Sequence, residues 1–156
     1  MRFGEDVDLS IRIQEKGFTT QLIREAFVYH KRRTNLRRFF KQVYNSGIAR
    51  INLQLRHPGT LKLVHMAPAL FTMGVLLLLF LSVLVSWFFA LPLLFHMLIL
   101  FLSAALKTSS LNIGLLAVVT SYTQLFGYGT GFLNAFWRRM VLGRDEFSAF
   151  NKNFYK

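Results

Sequence analysis

Three carboxylates stand close together near the start of the chain, in the run Gly4-Glu5-Asp6-Val7-Asp8-Leu9. A carboxylate held where a loop enters a helix can take a proton from a hydroxyl. It must come within hydrogen-bond reach and stay ionised at working pH. Acidic residues at a helix start also act as plain caps, because the positive end of the helix dipole favours them. Both readings are open for Glu5, Asp6 and Asp8. Asp6 and Asp8 alone cannot make a metal site, since hard cations need more oxygen ligands than two side chains offer. His30, 22 residues after Asp8 and at the end of a strand-like run, is a further candidate ligand. The chain has no Cys, which excludes a disulfide scaffold and a Cys-ligated metal.

The elements that must position these groups can be read from periodicity. Asp6–Lys16 reads as a short helix, led by acidic residues, with Gly17 where a left-handed C-terminal residue belongs and Leu9, Ile13 and Val7 on one side. Phe18–Ile23 and Ala26–His30 read as extended segments separated by Arg24-Glu25. From Thr34, an expected N-cap, Leu36, Phe39, Phe40, Val43, Tyr44, Ile48, Ile51 and Leu55 recur at helical spacing. Basic residues surround and interrupt that stripe: Lys31, Arg32, Arg33, Arg37, Arg38, Lys41 and Arg50.

This basic amphipathic segment, 34–62, precedes a long apolar stretch. One reading is a helix in the membrane interface with Arg32, Arg37, Arg38 and Lys41 on lipid phosphates. A second is a core helix with a solvated basic face. Charge alone also suggests nucleic acid, but a membrane-tethered basic surface needs only anionic lipid, so no nucleic-acid partner is expected.

The chain is 53% hydrophobic yet carries a net charge of +12, and only 17% of its 156 residues are charged, against about 25% in an ordinary soluble domain. The charges sit at the two ends: residues 1–63 hold 13 Lys/Arg and 5 Asp/Glu, and Lys107 is the only charge between Lys62 and Arg138. No water-facing surface can be built from residues 63–137. The 44 residues between Lys62 and Lys107 would span roughly 66 Å as helix, about twice a hydrocarbon core. Two crossings are expected, about 66–86 and 88–106, with a break from Ser86-Trp87 to Pro92. The first contains 12 Leu, Ile, Phe and Val residues, worth roughly −4 to −7 kcal/mol toward insertion before polar costs.

A third apolar stretch, 111–137, is long enough to cross once and contains Gly127-Tyr128-Gly129-Thr130-Gly131. Gly127 and Gly131 have the spacing that lets two helices approach closely, so a packing face is one reading. A broken or re-entrant helix is the other. Arg50, Arg56 and Lys62 place the N-terminal region in the cytoplasm. A full third span would then put Arg138, Arg139 and Arg144 outside, against the positive-inside rule. His96, near the middle of the second span, is expected to bond a neighbouring helix in its neutral form. Residues 1–16 have no apolar core of a signal peptide.

The ordered set Gly4-Glu5-Asp6, Asp8-Leu9, Arg12, Gly17, Val28, His30, Arg33 and Phe39–Gln42 resembles the end of a family 2 glycosyltransferase catalytic domain. The resemblance covers roughly residues 2–62, and the downstream spans look like those of membrane-anchored bacterial members. It implies a GT-A fold and transfer of a sugar from a nucleotide-sugar donor to a lipid-linked or membrane-proximal acceptor. By matching position Asp6 would be the general base, with Glu5 beside it. Asp8, Arg33 and Gln42 would serve substrate binding. His30 would help hold a divalent metal, Mg or Mn, in the full-length enzyme; for this chain alone no cofactor is assured. The Gln-x-x-Arg-Trp motif of processive members is absent, since Gln42-Val43-Tyr44-Asn45-Ser46 does not supply it.

The expected architecture is a mainly α membrane protein. Residues 1–33 end an α/β GT-A domain, 34–62 form the interfacial helix, 63–137 hold two to three transmembrane helices, and 138–156 form a basic tail. The nucleotide-binding half is missing, so a fragment inactive alone is expected, with Met1 an internal or misassigned start. It would sit in a bacterial inner membrane. The rival is a small non-enzymatic membrane assembly or transport subunit whose carboxylates merely cap a helix.

Overall fold

The computed structural model describes residues 3–29, 35–147 and 149. Its helices are α1 (Glu5–Glu15), α2 (Leu36–Arg56), α3 (Leu63–Leu84), α4 (Leu91–Thr108) and α5 (Leu111–Ala135). A 3₁₀ turn over Trp87–Ala90 leads into α4, and a π-helical turn over Phe136–Val141 follows α5.

α1 ends where the glycine requires it to. Gly17 has φ 82°, a conformation that costs a residue with a Cβ more than it costs glycine. Its N–H donates to the Gln14 carbonyl at 2.9 Å and the Phe18 N–H to the Ile13 carbonyl at 3.2 Å, which closes the last turn in a Schellman motif.

The two extended segments that follow do not become strands. Among the described residues there is no strand at all, and the α/β remnant expected from the sequence is not seen. Leu22, Val28 and Tyr29 are almost wholly exposed. A strand needs a neighbour to satisfy its N–H and C=O groups. No described residue offers these segments an edge, and only a turn forms, with the Ala26 N–H on the Ile23 carbonyl at 3.3 Å.

α2 is capped by Asn35, not by the expected Thr34, which lies outside the described residues. The Asn35 Oδ1 accepts from the N–H groups of Arg37 at 2.8 Å and Arg38 at 3.4 Å. A short amide is at least as good a cap as a threonine hydroxyl, and it stands one residue closer to the unpaired donors.

The second half of α2 is the most enclosed part of the molecule. It buries Asn45, Gly47, Ile48, Ala49, Ile51, Asn52 and Leu53. Ile48 and Ile51 meet Ala69 of α3 and Phe132 and Ala135 of α5 in the apolar core. A helix lying only in the membrane interface would leave this face to lipid. Residues 45–53 of α2 therefore pack as a core helix, and its basic N-terminal turn carries the exposed Arg37 and Arg38.

Glycines explain why α2 and α5 can come so close. A Cβ on Gly131 would collide with the Tyr44 carbonyl, one on Gly127 with the Val43 side chain, and one on Gly47 with the backbone of Tyr128 and Phe132. Gly129, on the other side of α5, admits Pro68 and Thr72 of α3 in the same way. α5 runs unbroken through Gly127, Gly129 and Gly131, so these glycines form a packing face and do not break the helix. The Asn134 amide donates to the Tyr44 hydroxyl at 2.6 Å along the same seam.

Leu63–Leu84 and Trp87–Thr108 are long and apolar enough to cross a membrane, which suggests membrane association. Pro92 lies in the first turn of α4, where its missing N–H costs nothing. α5 is their common partner. Thr72 of α3 donates to the Leu125 carbonyl at 3.4 Å, and His96 of α4 lies with Nδ1 3.0 Å from the Tyr122 hydroxyl. The rings of Phe71 and Tyr122 lie against that imidazole, and Phe126 packs on both of them.

Candidate functional site

The carboxylates of the sequence motif fall at the start of α1 and divide into two kinds. Glu5 and Asp6 lie in the first turn and are exposed, and among the described residues neither carboxylate has a side-chain partner. The Asp6 backbone carbonyl accepts from the Ser10 hydroxyl at 2.9 Å. Asp8 is the opposite case. Its side chain is only 13% exposed and its Oδ1 lies 2.9 Å from Nε2 of His57.

His57 was not singled out by the sequence. It caps the C-terminus of α2, where Thr60 holds its carbonyl through the hydroxyl at 2.9 Å and the N–H at 3.3 Å. The other ring nitrogen, Nδ1, is 2.9 Å from Oε1 of Glu15. Asp8 and Glu15 are two turns apart on α1 and so share a face. The imidazole thus sits between two carboxylates of one helix. Arg12 reaches Asp8 at 3.3 Å, and Arg56 stands 3.9 Å from the same carboxylate while pairing with Glu146 at 2.6 Å.

Protonation follows from this arrangement. The hydrogen bond from His57 holds the Asp8 carboxyl below its ordinary value of 3.8, with Arg12 and Arg56 adding to the effect. Hydrogen bonds to Asp8 and then Glu15 raise His57 above its ordinary 6.5. Two acceptors on two ring nitrogens require two N–H donors, which only the imidazolium has. The negative end of the α2 dipole favours the same charge state.

The remaining site residues named from the sequence are not gathered here. The Gln42 side chain is exposed on α2, and its carbonyl accepts from the Ser46 hydroxyl at 3.1 Å. Lys41 lies on the same helix, its carbonyl bonded by the Asn45 amide at 2.9 Å. His30, Arg32 and Arg33 lie outside the described residues. Among those described, no group of three or more His, Cys, Asp and Glu could hold a metal ion. The described residues therefore build no metal site by themselves, and the chemistry open to them is that of the carboxylates.

The C-terminal segment returns to this end of the molecule. Besides the Arg56–Glu146 pair, the Ala149 N–H donates to Asn45 Oδ1 at 3.0 Å, and Arg138 stacks on the Phe147 ring at 4.2 Å. The tail is thus joined to α2 at Asn45 and at Arg56.

Sequence comparison places these observations. Residues 2–107 match the family described as glycosyl transferase family group 2, from ahead of the carboxylate motif to the end of the second apolar helix. The chain belongs to that family. No curated protein matches it. No solved structure matches it either. α5, which α2, α3 and α4 all pack on, lies beyond the matched residues.

Proposed function

We propose that the chain is the acceptor-side and membrane part of a transferase that moves a sugar from a nucleotide-sugar donor to a lipid-linked or membrane-proximal acceptor, with Asp6 as general base. The observation that carries this is the contrast within the family motif. Asp8 is consumed by contacts inside the protein, whereas Asp6, two residues earlier on the same helix, is exposed and has no side-chain partner among the described residues.

A base in that state can accept the acceptor's hydroxyl proton as the oxygen attacks the sugar, and such a group contributes about 10²- to 10⁴-fold to rate. Glu5 supports the same helix start. Arg37 and Arg38 face anionic lipid at the beginning of α2. The N-terminal region and the tail are proposed to share the cytoplasmic side, in keeping with their Lys and Arg content. His30 and a Mg or Mn ion on the diphosphate are part of the proposal for the full-length enzyme only. The only Asp-x-Asp in the chain is Asp6-Val7-Asp8, so donor binding is assigned to residues outside this sequence, and the 156-residue chain alone should be inactive.

Two experiments test the reading. The purified chain should not bind a nucleotide sugar in the presence of Mg or Mn; tight metal-dependent binding would overturn the division of labour. In the full-length transferase, Asp6→Asn should abolish transfer and leave membrane insertion intact.

A further inference from the structure

α1 is attached to the rest of the molecule in an unusual way. None of its residues is buried, and no other helix packs extensively on it. Its placement falls to the polar contacts at the end of α2. His57 bonds Asp8 and Glu15, both at 2.9 Å, and Arg56 approaches Asp8 from the residue before. The base proposed above stands two residues before Asp8 on the same rigid turn of helix. Its position relative to the membrane is therefore set by whatever holds Asp8.

We propose that His57 is the positioning residue of this transferase, a doubly donating latch that fixes the Asp6-bearing helix to the end of α2 and so at the membrane edge. The proposal rests on the reading of Asp6 as the base. His57 itself touches no substrate; it acts through Asp8 and Glu15. The charged groups around it are Asp8, Arg12 and Glu15 from α1 and Arg56 from α2, with Glu146 of the tail behind Arg56.

When the imidazole loses a proton, one ring nitrogen becomes an acceptor. One of the two carboxylates then faces a lone pair instead of a donor. Val7, Ile11 and Ile13 are only half-buried, so α1 has little apolar contact to hold it and is loosened. The latch is closed below the ordinary histidine value of 6.5 and opens as pH rises through the raised His57 value.

The absence of Cys allows a direct test, because spin labels can be placed without removing any native residue of that type. Labels on Gln14→Cys in α1 and Ser46→Cys in α2, both exposed positions, report the separation of the two helices in the full 156-residue chain in lipid nanodiscs. A single narrow distance is expected below pH 6.5, giving way to a broad distribution as pH is raised stepwise into the alkaline range. His57→Phe keeps a ring but has no donor, and should give the broad distribution at every pH. His57→Lys keeps a charge and several donors through that range, and should restore the narrow distance and remove its pH dependence.

A wild-type distance that does not change with pH, or a His57→Phe distance identical to wild type, would overturn the latch. Circular dichroism of both variants shows whether the helices are intact, and rescue by His57→Lys excludes general misfolding. Asp6→Asn should leave the distance unchanged whether or not Asp6 is the base. A latch that works beside an Asp6→Asn enzyme that still transfers sugar would therefore count against the base alone.

Discussion

α1 and α5 are held by opposite means. α5 is locked along its glycines: Gly127 and Gly131 let the α2 backbone in, Gly129 admits α3, and an apolar core closes over Ile48, Ile51 and Phe132. Such contacts have no dependence on pH or salt, and they tolerate no added volume. α1 has no fully buried residue and is held largely by charged groups, which tolerate changes of shape but not of charge. The bundle is thus built to stay fixed, while the helix with the proposed base is attached by a joint that a change of protonation is proposed to loosen.

The sharpest way to break this comparison is at the seam. Gly131→Leu would drive a side chain into the Tyr44 carbonyl, where backbone has no room to yield. The expected loss is about 3 kcal/mol, the upper end for overpacking, read as a large fall in thermal midpoint in detergent. An unchanged midpoint would mean that α2 and α5 are not in contact in solution. The corresponding change at the joint, His57→Phe, should leave that midpoint in place while α1 moves.

The pH dependence of the joint has a definite sign. The Asp8 carboxyl is lowered, so its contribution is present above 3.8 and is lost as pH falls through the lowered value. His57 is raised, so its contribution is complete below 6.5 and is lost as pH rises through the raised value. α1 is accordingly held between those two limits and freed on either side, whereas the bundle should be indifferent over the same range.

Smaller changes sharpen the contrast further. Asn134→Leu removes the amide on Tyr44 and should cost about 0.6 kcal/mol, the typical value for a hydrogen bond between membrane helices. Arg56→Ala removes the pair with Glu146, in which Arg56 is 40% and Glu146 30% exposed. The expected cost is about 0–1 kcal/mol and should vanish in high salt. A larger or salt-insensitive loss would show that Arg56 holds Asp8 as firmly as His57 does.

Much of the local structure was legible in the residues themselves. Gly17 announced the end of α1, Pro92 the start of α4, and His96 its bond to a neighbouring helix, because each depends on a rule that acts within a turn or on a residue's cost in an apolar setting. The spacing of Gly127 and Gly131 announced close packing, though not that α2 would be the partner. For the site, the motif carboxylates were legible from their order, but Asp8's engagement was not. His57 is 49 positions away and follows no period shared with α1. A basic residue closing a helix was the only local sign of it. The strand-like segments failed for the converse reason: their residue types fit a sheet, and the described residues provide no sheet to join.

The central claim is the proposal that Asp6, exposed like Glu5 at the start of α1, acts as the general base. The measurement that tests it is sugar transfer by the full-length enzyme in native membranes, comparing wild type with Asp6→Asn at equal membrane content. A fall of about 10²-fold or more, with insertion unchanged, is the expected result. Transfer at the wild-type rate would contradict it.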